Sequence, residues 1–337
     1  MNICVVIPSY NLVDKLSKCL DCILNTGYKN LNVIIFDNGS NPPLKQSFLS
    51  YQDKIKGLVF LRDSKNLGFT EANNKSLKFG LKHFKKIDYF LLLNNDAYIT
   101  KDFFDKSLSY LKQDFDLLSP FVFLTKNRGV DSKGIDYYRD GTGMNRGHEQ
   151  KGAYLLPAVS LFISKKYVRE CFNNYGWLFI PCFESYVEDV ELSLRAKLMN
   201  KKIMLIPKKL VYHDRSSTIK NQKRTLFLGM RNQLWTIMTT WTKTMINNNL
   251  VEIIRGQITD NIIYSLKFKN IFMLPVYFQT FSKLPKLLKI RKSVQKEIIS
   301  YDSKDIFLEG SVTLTTHIKR SKTYKKMSRL LSIFYRL

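Results

Sequence analysis

Carboxylates and amides gather at four places in this chain, each beside an apolar run. The densest is Glu188-Asp189-Val190-Glu191, followed by Leu192 and Leu194. A positioned carboxylate can take the proton of an attacking hydroxyl, work that contributes ~10²–10⁴-fold to a rate. Helical spacing predicts Val190 and Leu194 on one buried face, with Glu188, Asp189 and Glu191 on the opposite, wetter side. Acidic residues also suit a first helical turn for purely structural reasons, because the macrodipole favours negative charge there. The second cluster is Asn94-Asn95-Asp96. On an extended strand Asn94 and Asp96 point the same way, and one carboxylate with waters and diphosphate oxygens is an ordinary Mg²⁺ or Mn²⁺ environment. The competing reading of that tripeptide is an Asx turn. The remaining clusters are Pro8-Ser9-Tyr10-Asn11 and Asp37-Asn38-Gly39-Ser40.

The apolar runs at 3–7, 31–36, 58–61 and 89–93 predict buried strands, with helices over 12–24 and 70–84 between them. This βαβ rhythm predicts a parallel sheet flanked by helices, with its ligand crevice beyond the carboxyl ends of the strands. The polar clusters at 8–11, 37–40 and 94–96 fall there. Beyond about residue 115 the expected order is a Gly-rich polar loop over 129–152, a strand over 155–163, the acidic helix, and strands at 203–206 and 210–213. No Gly-rich dinucleotide turn follows the first strand, and no G-x-x-x-x-G-K-[ST] cradle occurs. What remains is a nucleotide held by side chains, its diphosphate neutralised by a metal.

The 337 residues carry a formal charge of +26, which calls for an anionic partner. Residues 217–337 hold 22 Lys and Arg against 6 Asp and Glu, over half of the excess. There lysines alternate with Phe, Leu and Ile in helical patterns, as in 281–290, which reads as an interfacial membrane binder. The competing reading is a helical region packed on the first, its lysines merely solvated. The opening apolar run stops at Pro8 and no run reaches the ~18 residues that cross a bilayer, so neither a signal peptide nor a span is expected. Five cysteines without framework spacing point to a reducing cytosol, with Cys19 and Cys22 as core and boundary residues.

Six motifs in order then resemble the family 2 glycosyltransferases, nearest in flavour the bacterial rhamnosyltransferase- and galactofuranosyltransferase-like branch. They are Val6-Ile7-Pro8-Ser9-Tyr10-Asn11, Asp37-Asn38-Gly39-Ser40, Asn66-Leu67-Gly68-Phe69 with Asn73-Asn74, Leu92-Leu93-Asn94-Asn95-Asp96, Tyr186-Val187-Glu188-Asp189 and His213. The resemblance covers roughly residues 2–218. It implies an α/β GT-A fold over 1–216, with the basic, largely helical region read from composition over 217–337 lying beyond it, and inverting transfer from a nucleoside-diphosphate sugar, either a UDP- or a dTDP-sugar. It further implies donor contacts from Pro8, Tyr10, Asn11, Asp37, Asn38, Asn66, Gly68, Asn74, Asn94 and Asn95. Asp96 would bind Mg or Mn with His213 as a second ligand. Asn94 stands where the family's motif begins with a carboxylate, which weakens the cation site. Asp189 would be the catalytic base, and Glu188 and His148 acceptor or orienting groups.

The expected acceptor is a glycan or a polyprenyl-diphosphate-linked chain in bacterial surface polysaccharide (capsule-type) synthesis. The expected location is the cytoplasm, peripheral on the anionic inner face of the plasma membrane, with a homodimer left open. The rival enzyme is a sugar nucleotidyltransferase, whose Gly-rich N-terminal loop is missing. The rival from another class is a basic nucleic-acid-binding protein. It has the charge but no recognised module, and no specific nucleic acid is expected. His83 and His317 are expected on solvated faces, Arg195 paired with a carboxylate, and Arg231-Asn232 at the start of a helix that returns toward the site.

Overall fold

The computed structural model describes residues 1–126, 128–148, 152–215, 222–299 and 306–308. The expected βαβ half is present. β1 (Ile3–Ser9), α1 (Val13–Asn25), β2 (Leu31–Asn38), β3 (Leu58–Asp63), α2 (Gly68–His83) and β4 (Tyr89–Leu93) follow in order, with a 3-10 helix at Leu44–Tyr51 before β3. β1 pairs in parallel with β2 and β4, and β2 with β3. Every residue of β4 is buried, as a strand covered on both faces requires.

The second half mixes directions. β5 (Ala97–Ile99), α3 (Phe103–Leu111), β6 (Leu117–Leu124), β7 (Val130–Ser132), β8 (Ile135–Tyr137), β9 (Gly143–Asn145), β10 (Ser160–Ser164), α4 (Lys165–Tyr175), α5 (Glu188–Leu198) and β11 (Ile203–His213) complete it. The main sheet runs β3-β2-β1-β4-β10-β6-β11-β5, with β7 on β6. β10 lies antiparallel between β4 and β6, while β6 and β11 are parallel. The strand expected over 155–163 is regular only from Ser160. Before it, Leu155 bridges Ile135, and Val159 accepts from Asn94 N (3.0 Å) at the end of β4. The two strands expected at 203–206 and 210–213 are one strand, because register shifts beside Lys209 carry it past its polar middle.

The C-terminal helices are α6 (Gln222–Thr240), α7 (Lys243–Asn248), α8 (Leu250–Phe268), α9 (Leu274–Ser282) and α10 (Leu284–Gln295). Val190, Leu194 and Leu198 of α5 share one cluster with Ile237, Trp241 and Met245. The helices therefore bury the face of α5 that the hydrophobic spacing marked. Arg231 and Asn232 lie in the middle of α6 and not at its start, because the helix already runs from Gln222. Much of the basic tail, His317 included, lies outside the described residues. Among the described residues no helix is long and apolar enough to cross a membrane.

Candidate functional site

A cavity of about 480 Å³ opens beyond the carboxyl ends of β1, β2 and β4, lined by Pro8, Tyr10, Asn11, Asn38, Asn66 and Gly68, with Asn94, Asn95 and Asp96 opposite. Ser9, Leu12, Phe69 and Ser185 complete the wall. The loops are fixed by their own amides. Asn11 sits at φ 55, where its Oδ1 accepts from Asn41 N (2.8 Å) and its backbone N–H reaches Ser40 Oγ (3.0 Å). Asn38 donates to Asn66 Oδ1 (3.1 Å) and accepts from Leu67 N (2.8 Å), tying the β2 end to the start of α2. Asn95 donates to Ser9 Oγ (2.8 Å), joining the β4 and β1 ends. Residues 94–97 form a turn closed by Ala97 N to Asn94 O (3.0 Å). Asn94 and Asp96 therefore share the cavity through a turn and not through strand pleating, since β4 ends at Leu93.

Two of the expected donor contacts lie off this wall. Asp37 is buried and accepts from Ser40 N (2.8 Å), Leu44 N (3.0 Å) and Arg62. Burial alone would raise its carboxyl, but these donors outweigh that and hold it below the usual range. Asn74 is buried, accepting from Leu178 N and Phe179 N (both 3.0 Å) and donating to Phe179 O (2.8 Å). It braces the segment ahead of the acidic helix. His148 is exposed beyond β9, away from the cavity lining, and His83 is exposed with its ring stacked on Phe79.

Strand register assembles the anionic end. Ala97 of β5 pairs with His213 of β11, which pairs with Leu124 of β6, and β7 lies on the other side of β6. Asp96, His213 and Asp131 are therefore neighbours although far apart in sequence. His213 Nε2 is 3.1 Å from Asp96 Oδ1, and its Nδ1 is 2.7 Å from Asp131 Oδ2. Arg215 Nε closes the chain at 2.7 Å from Asp131 Oδ1. Burial opposes charge on the imidazole, but the two carboxylates outweigh it and raise His213 to about 9. Asp131 was not legible in the sequence, being a single aspartate in a polar loop. An imidazole held through one nitrogen by a carboxylate is the outer support that metal-ligating histidines use. Among the described residues no three His, Cys, Asp or Glu side chains form a ready-made cage. The donor set of carboxylate, imidazole and cavity amides fits a Mg²⁺ or Mn²⁺ ion completed by a ligand's own oxygens.

Asp189 stands one layer behind this wall, outside the cavity lining itself. Its Oδ2 accepts from Ala158 N (3.3 Å), and the next residue, Val159, accepts from Asn94 N (3.0 Å). Burial raises the Asp189 carboxyl, while the N–H groups of Val190 and Ala158 and the charge of Arg215 pull it back. At Glu188 burial and the adjacent Asp189 outweigh the lowering effect of a backbone N–H and push the carboxyl to about 8, and its Oε2 has no hydrogen-bond partner among the described residues. Both carboxyls of the pair are therefore held above their ordinary range, and the two titrate as a unit. Glu191 departs from the expected wet side. It is 1% exposed because Arg195, itself fully buried, pairs with it at 2.8 Å. Thr240 of α6 donates to the same carboxylate (2.9 Å), so Glu191 and Arg195 are a structural pair.

Between the cavity and α5 lies a strained turn. Glu184, Tyr186 and Val187 all have positive φ (64°, 71° and 67°), and for branched Val187 this is a true outlier. Asn232 of α6 holds the turn through Nδ2, which approaches the carbonyls of Phe183 (2.8 Å), Ser185 (2.9 Å) and Tyr186 (2.7 Å). Arg231 adds Phe183 O (2.8 Å) and Glu184 Oε1 (2.8 Å). From the other side Gly68, at φ 80, presses so close that a Cβ would sit 2.6 Å from Glu184 O. Sequence reading took Arg231-Asn232 back toward the site but missed this clamp.

The profile of the family described as Glycosyl transferase family 2 matches residues 4–170, about half of the chain. An uncharacterised glycosyltransferase of Methanocaldococcus jannaschii is 26% identical over 129 residues, 37% of this chain and 43% of that protein. The poly(ribitol-phosphate) beta-glucosyltransferase of Bacillus spizizenii is 25% identical over 138 residues, 40% of this chain but 20% of its own length. The chain thus spans less than half the length of these two relatives. Among solved structures S. aureus TarS superposes with a TM-score of 0.57 at 16% identity, covering 89% of this chain and 51% of that one. Its 1–349 fragment in complex with UDP-GlcNAc gives 0.54 at 16% identity, covering 89% and 82%. With the motifs at their expected strand ends and the sheet order described above, the chain belongs to glycosyltransferase family 2 and has the GT-A fold.

Proposed function

We propose that this protein transfers a sugar, with inversion, from a nucleoside-diphosphate donor in the β1–β2–β4 cavity to an acceptor hydroxyl activated by Asp189. One observation carries the reading: a continuous polar chain runs from Asp96 through His213, Asp131 and Arg215 to the field felt by Asp189. Burial holds both carboxyls of the Glu188–Asp189 pair above their ordinary range, which would make the base Asp189 more basic than a free aspartate, with Glu188 beside it to orient the acceptor. A single displacement needs one base and no second nucleophile, unlike a covalent double displacement. Asp96 and His213 would hold Mg²⁺ or Mn²⁺, which would supply positive charge for the departing diphosphate. Tyr10, exposed at the cavity mouth, is available to stack on the base, and Asn11, Asn38 and Asn66 offer amides to ribose and phosphate.

The UDP-GlcNAc complex of the TarS fragment is in keeping with a nucleotide-sugar donor, and the match to the poly(ribitol-phosphate) enzyme favours a polymer as acceptor. A lipid-linked acceptor and peripheral attachment to an anionic membrane belong to the same proposal. The test is a thermal-shift screen of nucleoside diphosphates and their sugars with Mn²⁺, followed by turnover with the stabilising donor. Asp189→Asn should bind that donor like the parent and lose turnover, whereas Asp96→Ala should lose the Mn²⁺-dependent stabilisation. Equal loss of donor affinity and turnover in Asp189→Asn would remove its role as base.

A further inference from the structure

We propose that the outward face of α9 is the surface on which this protein lies against an anionic lipid bilayer. The inference deepens the peripheral-attachment reading and rests on it, but not on the sugar-transfer chemistry. α9 is apolar on both sides. Val276 and Thr280 are buried against the rest of the protein, while Leu274, Phe278 and Phe281 are 60%, 75% and 76% exposed. Ile271, in the turn before the helix, is 64% exposed, and the spacing 271, 274, 278, 281 makes one continuous stripe. A stripe of this kind on a water-facing helix marks a contact surface.

Charge selects the occupant. Residues 261–296 hold eight Lys and Arg and no Asp or Glu. Lys267 and Lys269 are exposed before the stripe, and Lys283, Lys286 and Lys289 after it. An apolar centre flanked along the chain by lysines complements acyl chains beneath anionic headgroups. It opposes pairing with a second copy, whose identical lysines would face it. α9 is nine residues long, so it lies on the bilayer and does not cross it.

The inner side of α9 leads to the site. Trp235 Nε1 donates to Thr280 Oγ1 (2.9 Å), and Arg231 to Gln279 Oε1 (3.1 Å), the same Arg231 that grips Glu184. The bilayer would thus lie beyond α9 from the clamp, a separation on the order of one helix diameter, ~10 Å. An acceptor tethered to lipid would be presented toward the turn that leads into Asp189.

The experiment is co-sedimentation of the full chain with vesicles of phosphatidylglycerol and phosphatidylcholine, against phosphatidylcholine alone. The parent should bind the anionic vesicles and release them as salt rises. The variants F278S/F281S and K283E/K286E should each lose at least about tenfold in partitioning. Leu49→Ser, an exposed apolar residue far from α9 in sequence, should change nothing. Unchanged thermal unfolding and nucleoside-diphosphate binding would establish that the variants are folded. Parent binding that both variants retain would overturn this face while leaving attachment standing, and no binding by the parent would overturn both. A concentration-dependent dimer abolished by F278S/F281S, with vesicle binding intact, would assign the stripe to a second copy instead.

Discussion

Replacing Asn232 with alanine should cost turnover far more than it costs donor binding. Its amide has two hydrogens for three carbonyl oxygens at 2.7–2.9 Å, so one hydrogen is shared. Two such bonds contribute about 2 kcal/mol net, and each carbonyl left buried and unpaired adds roughly 1–3. The turn they restrain stores roughly 1–3 kcal/mol at each of Glu184, Tyr186 and Val187. Clamp and strain are thus of similar size, and without Asn232 the turn should relax toward ordinary φ. Arg231 still anchors Phe183 and Glu184, so the loss concentrates at Ser185 to Val187, immediately before Glu188 and Asp189. A displacement of about 1 Å there is enough for a ~10²-fold fall in kcat. Calorimetric titration with a nucleoside diphosphate and Mn²⁺ should change by no more than about threefold, because Ser185 alone of the clamped turn lines the cavity, while the ends of β1, β2 and β4 and the start of α2 supply the rest of its wall. The reasoning fails if kcat per folded molecule is unchanged, or if the fall merely follows the unfolded fraction in a melting curve.

Other expectations follow from the same geometry. Asp131→Asn should weaken Mn²⁺ affinity about 10–100-fold by loosening His213, measured by titration with the nucleotide present. The rate should rise with pH through an apparent pKa above the usual aspartate range, because burial raises Asp189 and the base works only when ionised; the limb belongs to the Glu188–Asp189 pair as a unit. A limb at the ordinary aspartate value in a pH–rate profile would contradict this. Asp140, against Gly256 of α8, is raised by burial from 3.8 to about 6. The folded state then holds its proton where the unfolded state has lost it, so stability falls as pH rises from about 4 to 6, by roughly 3 kcal/mol. Asp140→Asn keeps an acceptor for Thr142 N and should raise the melting temperature at pH 8 while changing little at pH 4.

Local patterns were legible where the local chain decided the outcome. The strands β1, β2 and β4 announce themselves as apolar runs, and the polar residues at their ends line the cavity because chain direction leaves them no other place. Glu191 was misread because side-chain spacing cannot see that Arg195 and Thr240 follow it into the core. Asp37 and Asn74 carry motif identities but spend their hydrogen bonds on the loops around them. Asp131 was invisible because it reaches His213 only through β7 beside β6 beside β11, a neighbourhood made by register. Likewise the clamp depends on α6 meeting a turn some 47 residues earlier, which no periodicity encodes.

The most direct trial of the central claim is a crystal grown with Mn²⁺ and the stabilising nucleoside diphosphate, read by anomalous scattering at manganese. The account predicts one manganese peak touching Asp96, with His213 beside it, the two phosphates on the ion, and the far phosphate directed at the Asp189 side of residues 157–159. Manganese or diphosphate bound away from Asp96, with residues 8–11 and 94–96 untouched, would contradict it.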